Sequence, residues 1–135
     1  MSTSTVVYLD TLRTEATHIQ SGTSILTDAP TDNQGKGQYF SPTDLLATSL
    51  ASCMLTIMGI AANNHRIQMG LPEAEVLKVM ASSPRRVKEI QILIHFPQSN
   101  LSEKSKSILE KAALSCPVAL SLNEEIKQKV SFKYG

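Results

Sequence analysis

The sequence predicts an α+β domain in which short, largely antiparallel strands accompany two helices. Three observations support this fold class: strand-like segments occupy both ends of the chain, a long and almost uncharged helical pattern follows Ser41, and a second helical pattern runs into Pro117. The predicted order is β-β-β-α-β-β-α-β. A length of 135 residues is that of one domain, which we expect to span residues 1–135.

The first three strands are predicted near the N-terminus, where β-branched and aromatic residues are frequent. They cover residues 5–9, 12–19 and 24–28, with turns at 10–11 and 21–22. Residues 29–38 contain Pro30, two glycines and several polar residues without an apolar period, which indicates a loop. Loops of this length in a compact domain are often functional.

The first long helix has the most complete sequence signals. Ser41 is a typical N-cap and Pro42 fits the first helical position. Asp44 stands three residues after the cap, where a capping box normally has Glu or Gln. The helix is predicted to continue to about Asn63 or His65. We expect it to be buried on most sides, with an apolar stripe at helical spacing that Leu45, Met54, Met58 and Ala61 widen: Leu46, Leu50, Cys53, Ile57 and Ile60.

The second half of the chain predicts two strands, a helix and a final strand. The strands cover residues 75–82 and 87–96, and the last one covers 125–134 with alternating apolar residues. The second helix begins near residues 100–103 and its inner face leads to Cys116. Pro117 either ends this helix or begins a short one through Leu122.

Composition excludes several classes of function. A formal net charge of +1 argues against nucleic-acid binding, which normally requires a basic face. The N-terminus lacks a secretory signal pattern, and no apolar run appears long enough to span a membrane, so we expect a cytoplasmic protein. No Cys-x-x-Cys or His-x-x-x-His spacing occurs, so neither a metal nor another cofactor is predicted.

The two cysteines, Cys53 and Cys116, each lie on a helical pattern and could form a redox pair in space. In the cytoplasm a disulfide between them would be transient and catalytic rather than structural. A cysteine acts as a nucleophile in its thiolate form. Cys53 lies beyond the first turn of its helix, where the helix dipole has faded, so its thiolate requires a nearby cation. Among four arginines we favour Arg13, because its strand is expected to cross the core.

Cys116 has a different predicted environment. If Pro117 begins a helix, Cys116 is the N-cap, where free amides favour a thiolate. Structural interpretations remain open for all these residues. A cysteine on an apolar stripe is most often a small core residue, and Asp44 is more often a helix cap than a catalytic acid.

The chain resembles the OsmC/Ohr family of hydroperoxide-handling proteins. The resemblance rests on a combination of segments spread over nearly the whole chain, and the order of elements agrees as well. The matching segments are Thr27-Asp28-Ala29-Pro30, Phe40-Ser41-Pro42-Thr43-Asp44-Leu45-Leu46, Ala51-Ser52-Cys53-Met54, Ser83-Pro84-Arg85-Arg86 and Leu114-Ser115-Cys116-Pro117-Val118.

The resemblance implies an intertwined homodimer in which antiparallel sheets of both chains wrap around two central helices. It implies that Cys53 is the peroxidatic thiolate and that its sulfenic acid condenses with Cys116. A dithiol, possibly of the lipoyl type in related branches, would reduce the disulfide. Arg13 corresponds to the thiolate-stabilising arginine, and Asp44 is a candidate for orienting Arg13.

One position departs from the family pattern. The organic-hydroperoxide branch has a glutamate directly after the proline that starts the cysteine helix, whereas this chain has Thr43. The resemblance as a whole implies a bacterial thiol-dependent peroxidase for organic hydroperoxides. The departure at Thr43 favours the alternative, a non-catalytic OsmC-like dimer that binds a small molecule or partner. A third interpretation is a metal site formed by both cysteines and a histidine.

Overall fold

The computed structural model describes all 135 residues, which form two compact units. The first unit comprises Met1–Leu46 and the second Ala47–Gly135. Helix α1, Pro42–His65, begins in the first unit and continues into the second. The predicted α+β class is confirmed, and so is the order of strands and main helices.

A three-stranded antiparallel sheet forms most of the first unit, in the order β1–β2–β3. Its cross-strand register aligns Val6 with Ala16 and Ala16 with Ile25. Because side chains alternate between the faces of a sheet, these three residues share one apolar face. The strands are β1 (Ser4–Tyr8), β2 (Arg13–His18) and β3 (Ser24–Asp28).

This sheet is poorly covered by its own chain. All five residues of β1 are exposed, with Val6 at 64% and Tyr8 at 61%. No residue of β2 is fully buried. The expectation that the strand of Arg13 crosses the core is therefore wrong for the single chain, because nothing in the chain buries either face of β2 completely.

The segment that follows β3 folds back on itself as a compact loop. It contains a short 3-10 helix at Thr31–Asn33. Gly35 donates its N–H to the carbonyl oxygen of Pro30 at 2.9 Å, and a Cβ on Gly35 would overlap the carbonyl of Ala29. Glycine is therefore required there by the close backbone approach. The loop places Gln38 beside the end of β3, where its backbone N–H reaches Asp28.

The predicted capping box at the start of α1 is confirmed. Asp44 donates its N–H to Ser41 Oγ at 3.1 Å, and Asp44 Oδ2 accepts the N–H of Ser41 at 3.0 Å. The two side chains thus satisfy two backbone donors that no helical carbonyl can reach.

The predicted apolar stripe of α1 is confirmed only in part, because Leu50, Met54 and Met58 are buried whereas other members are not. Leu46 is 38% exposed and Ile60 is 51% exposed, although both belong to the predicted stripe. The helix is apolar almost all round, so its periodicity does not determine which side faces the core. The buried residues are Ala47, Leu50, Ala51, Met54, Met58 and Ala62.

Helix α1 ends at His65, as predicted, but it is more apolar than the sequence indicated. It has 24 residues, and an 18-residue window reaches a mean hydropathy of 1.9 with 33% of the window buried. By length and composition alone it could cross a membrane, which corrects the expectation that no apolar run is long enough. Core helices of soluble proteins have the same character, and the buried residues of α1 belong to the core cluster.

A second three-stranded sheet lies in the second unit, in the order β4–β5–β6. Strand β4 (Glu73–Ala81) is antiparallel to β5 (Arg86–Phe96). Strand β6 (Lys127–Tyr134) is parallel to β5, whereas the other strand pairs are antiparallel, as largely expected. The reason is the connection through α2 (Glu103–Leu114) and α3 (Pro117–Ser121), because a helical crossover returns the chain in the same direction.

The core of the second unit lies between one face of this sheet and the helices. Alternate residues of β5 are buried, as the period of two requires. They join the buried face of α1 and the inner face of α2 in one cluster. Its largest fully buried members are Leu50, Met54, Met58, Ile90, Ile92, Ile94, Phe96, Leu109 and Cys116.

Candidate active site

The structure brings the two cysteines together in the second unit. Both are reduced, and their side chains are close enough for Cys53 to affect the ionisation of Cys116. Cys53 lies on α1 directly before the buried Met54. Its own side chain is half-buried and packs against the core cluster. Cys116 is a member of the core and has no exposed surface. One thiol is therefore accessible, and its neighbour is enclosed behind it.

Cys116 owes its position to the junction of two helices. Helix α2 ends at Leu114, and Pro117 begins α3 with Cys116 as its N-cap. The sulfur accepts the N–H of Ala119 at 3.3 Å, which is a side-chain cap on a helix of one turn. The carbonyl of Ala119 accepts a hydrogen bond from Gln128 Nε2 at 3.0 Å, which attaches α3 to β6.

Burial, and not the helix cap, dominates the ionisation of Cys116. Burial raises the pKa of the Cys116 thiol, because the thiolate loses its water. The hydrogen bond from Ala119 lowers the pKa by a smaller amount, and the contact with Cys53 raises it further. The amides at the N-cap thus favour the thiolate as expected, but burial outweighs them. The proton stays on Cys116, which can donate a hydrogen bond to Cys53.

Arg13 is held by an acidic partner in the first unit. Arg13 and Asp28 are cross-strand neighbours at the ends of β2 and β3. Arg13 Nε lies 2.7 Å from Asp28 Oδ1, and Nη2 lies 2.9 Å from Oδ2. Two parallel N–H···O bonds of this kind fix the plane of the guanidinium as well as its position.

Two loop residues complete the surroundings of Arg13. Gln38 Oε1 accepts a hydrogen bond from Arg13 Nη2 at 2.7 Å. The guanidinium carbon lies 4.7 Å from the centre of the Tyr39 ring, within the range of a cation–π contact. The side chain of Arg13 is therefore held on one edge by Asp28 and Gln38 and on one face by Tyr39.

The interaction between Arg13 and Asp28 shifts the pKa of each residue in the direction that favours its charged form. The hydrogen bond from Arg13 lowers the pKa of Asp28, and the N–H of Gln38 acts in the same direction. The hydrogen bond to Asp28 raises the pKa of Arg13. Asp28 is 1% exposed. A buried carboxylate is destabilising unless it is paired, and the ion pair with Arg13 offsets this desolvation cost.

The other predicted site residue, Asp44, lies in the capping box of α1 described above. Asp28 was not among the predicted site residues, and Gln38 was only part of a loop. The register of β2 against β3 could have identified Asp28, because opposite charges at the ends of paired strands commonly meet. Nowhere in the chain do three or more His, Cys, Asp or Glu side chains form a cluster that could hold a metal ion.

Comparison with protein-family models identifies the family. The model for the OsmC-like protein family matches residues 35–131. The chain belongs to the OsmC-like family. The match includes both cysteines and the capping box of α1, whereas Arg13 and Asp28 precede it.

Solved structures agree with this family. A protein of Psychrobacter arcticus, provisionally named an osmotic stress induced and detoxification response protein, is 57% identical with a TM-score of 0.93, covering 98% of this chain and 96% of that one. An OsmC-like protein of Mycoplasma pneumoniae is 20% identical with a TM-score of 0.81, covering 97% and 94%. Among curated proteins no match was found.

A more distant structure shows the same fold. The organic hydroperoxide resistance protein OsmC of Legionella pneumophila is 15% identical with a TM-score of 0.76, and the alignment covers 98% of each chain. At this identity the likeness concerns the fold alone. The OsmC-like fold is thus shown for this chain, and the chemistry of its thiols is inferred below.

Proposed function

We propose that this protein is a thiol-dependent peroxidase that reduces organic hydroperoxides in defence against oxidative stress. The observation that carries the proposal is the pairing of a half-buried Cys53 with a fully buried, protonated Cys116. An accessible thiol next to an enclosed one is the arrangement that a two-cysteine peroxidase needs. The stress-response and hydroperoxide-resistance names of the structural relatives support the same function.

The proposed reaction has two chemical steps. The Cys53 thiolate attacks the terminal oxygen of the hydroperoxide, an S–O bond forms while the O–O bond breaks, and the departing alkoxide takes up a proton to give the alcohol. The resulting sulfenic acid at Cys53 condenses with the thiol of Cys116, which forms the disulfide and releases water. An external dithiol, lipoyl-type in related branches, then returns both cysteines to the reduced state.

Cys116 has a second role in this scheme before it resolves the sulfenic acid. Because burial keeps Cys116 protonated, it can donate its S–H to the Cys53 thiolate. A hydrogen bond to the charged form favours that form. The same contact then places Cys116 next to the sulfenic sulfur that it attacks.

Arg13 is the proposed cationic partner of the Cys53 thiolate, as the family resemblance implies. Its guanidinium is fixed by Asp28, Gln38 and Tyr39, so its remaining N–H groups are preorganised. Asp44 is retained as a second acidic candidate for orienting Arg13.

We propose that the protein acts as a homodimer, with residues 1–135 forming one OsmC-like domain in each chain. The apolar face of the first sheet exposes the large side chains Val6, Tyr8 and Ile25. Contiguous apolar patches of this kind often mark an interaction surface. The outer stripe of α1 is also exposed and uncharged at Ser52, Thr56 and Ile60. Both features support burial against a second copy of the chain. The proposed location is the cytoplasm, where a disulfide between the two cysteines would be transient and catalytic.

A second candidate function is binding without catalysis. Thr43 stands where the organic-hydroperoxide branch has its glutamate, and the carboxylate of Asp44 accepts a backbone hydrogen bond as a helix cap. An OsmC-like dimer without turnover would bind a small molecule or a protein partner through the apolar side chains around Cys53.

Steady-state consumption of cumene hydroperoxide with dihydrolipoamide as reductant distinguishes the two functions. We expect turnover by the wild-type protein and none by Cys53→Ser. Ser49→Ala on the same helix is the matched control and should turn over normally. Equal consumption by the wild type and Cys53→Ser, or none by either, would exclude the peroxidase.

A further inference from the structure

We infer that Gln128 is a positioning residue for the resolving step, because its side-chain amide holds the backbone turn that directs the sulfur of Cys116. The inference rests on the proposed peroxidase function and adds to it a residue that acts only through Cys116. All the residues involved belong to the second unit.

Gln128 occupies a position where the strand pattern favours an apolar side chain. Half-buried residues alternate with exposed ones along β6, and Val130, Phe132 and Tyr134 of the same row pack against the core. The register places Gln128 beside Ile90 of β5, which is fully buried. A polar group at such a position costs free energy unless it is hydrogen-bonded, so the partner of the Gln128 amide indicates its role.

The partner of Gln128 is the short helix α3, which Cys116 caps. Gln128 Nε2 donates to the carbonyl oxygen of Ala119 at 3.0 Å, and the N–H of Ala119 donates to Cys116 Sγ at 3.3 Å. A single residue of α3 thus connects the amide of β6 with the sulfur. Any shift of Ala119 changes the direction in which the sulfur is held.

Helix α3 needs such an attachment because it is short. It has 5 residues, too few for a helix that is stable on its own. Val118, Ala119 and Leu122 pack against the core, but apolar contacts are non-directional. A hydrogen bond depends on its angle as well as its length, so the bond from Gln128 limits the rotation of the turn.

The direction of the Cys116 sulfur matters when it attacks the sulfenic acid. The sulfur of Cys116 forms a bond to the sulfur of Cys53 while the S–O bond breaks, and the hydroxide leaves with the proton of Cys116 as water. Correct orientation supplies a large part of the rate of such intramolecular reactions. The hydrogen bond from Ala119 lowers the pKa of Cys116, so it also stabilises the negative charge that develops on the attacking sulfur.

The test compares the two steps of the reaction in Gln128→Met, whose side chain has the length of glutamine but no hydrogen-bond donor. The protein receives one equivalent of cumene hydroperoxide with excess dimedone, and its intact mass gives the ratio of dimedone adduct to disulfide. This ratio measures the competition between dimedone and Cys116 for the sulfenic acid. We expect the ratio to rise roughly tenfold because the attacking sulfur is misplaced. The rate at which Cys53 is oxidised should stay close to that of the wild type.

Two further variants decide whether Gln128 acts through Cys116. Gln91→Met is the matched control and should give the wild-type ratio, because Gln91 lies on the opposite face of the same sheet and donates to Glu89. In a Cys116→Ser background, Gln128→Met should leave the rate of dimedone addition unchanged. A changed rate there would show that Gln128 affects Cys53 itself. That result, or a wild-type ratio in Gln128→Met alone, would overturn the inference.

A measurement without peroxide separates failure of this inference from failure of the proposed function. When Cys53 is converted to a mixed disulfide with thionitrobenzoate, attack by Cys116 forms the protein disulfide and releases the coloured thionitrobenzoate anion. Slower release in Gln128→Met supports the positioning role, and if the wild type then does not react with hydroperoxide, only the peroxidase is wrong. Equal release in both proteins overturns the positioning role and leaves the peroxidase standing.

Discussion

The side chains of Cys53 and Cys116 interact although Cys53 lies in the middle of α1 and Cys116 caps α3. The contact joins an accessible sulfur to one without any exposed surface. Both atoms that the proposed disulfide would link are therefore already neighbours in the reduced protein. A resolving step built on this contact needs no distant segment to move.

Replacing Cys116 by Ser should stop the reaction after its first step. Without a resolving thiol the sulfenic acid at Cys53 accumulates and is trapped by dimedone, which adds once per chain. Mass spectrometry of the dimedone adduct measures this directly. In the wild type the adduct should be scarce, since Cys116 competes for the same sulfur. Equal labelling of both proteins would contradict the role of Cys116.

The stability of the fold should decrease in mild alkali because of Cys116. Burial raises the pKa of this thiol, so the folded chain retains a proton that the unfolded chain releases near the ordinary thiol value of 9.0. The free energy of unfolding therefore falls as the pH rises above that value. Urea denaturation at pH 7.5 and 9.5 should show a smaller decrease for Cys116→Ala, which lacks the thiol. Identical slopes would contradict the burial effect.

The Arg13→Lys variant should lose almost as much of the rate of Cys53 oxidation as the Arg13→Ala variant. Lysine keeps the positive charge but cannot make the two-point contact with Asp28. We expect each variant to lose about 10²-fold or more in the rate of Cys53 oxidation. Stopped-flow measurement at a pH where Cys53 is fully ionised gives the comparison, and wild-type speed in the lysine variant would show that charge alone is sufficient.

Ser41→Ala should lower the free energy of unfolding by about 1 kcal/mol, which is the usual cost of an N-cap. Ser41 is buried and its Oγ accepts the N–H of Asp44, so the alanine variant leaves that donor without its partner. The measurement is urea denaturation followed by circular dichroism. Comparison with Asp44→Asn then separates capping from chemistry, because a larger activity loss in Asp44→Asn at equal stability would indicate a catalytic role.

Tyr134→Phe should affect stability and leave the chemistry unchanged. Tyr134 donates its hydroxyl to Glu110 Oε2 at 2.7 Å and stacks on Phe96 with ring centres 4.9 Å apart. Phenylalanine keeps the stacking and loses only the hydrogen bond, so the expected decrease is about 1 kcal/mol. Thermal unfolding and the oxidation rate measured on one preparation test this, and a slowed oxidation would reveal an unexpected connection with the site.

The sequence predicted those features of the fold that depend on residues close together in the chain. The bounds of β3 agree with the observed Ser24–Asp28, and the capping box at Ser41 depends on residues that are neighbours in sequence. The parallel direction of β6 was not predicted, since it depends on a crossover through two helices. The buried face of α1 was predicted only in part, because an almost uniformly apolar helix offers little contrast.

The candidate site was predictable only in part. Each cysteine could be placed on its helix from the sequence, yet the complete burial of Cys116 depends on packing among distant elements. In the sequence, Asp28 has the position of an ordinary turn residue at the end of a strand, so nothing in the sequence marks it as a site residue. Its significance comes from the register that sets it opposite Arg13, and a register is a property of the folded sheet.

The proposed two-cysteine reaction is tested most directly by the intact mass of the protein under non-reducing conditions, before and after one equivalent of cumene hydroperoxide. We expect rapid loss of two hydrogens per chain in the wild type, and no such loss in Cys53→Ser or Cys116→Ser. An unchanged mass after an hour, with both thiols still open to alkylation in the unfolded protein, would contradict the proposed reaction.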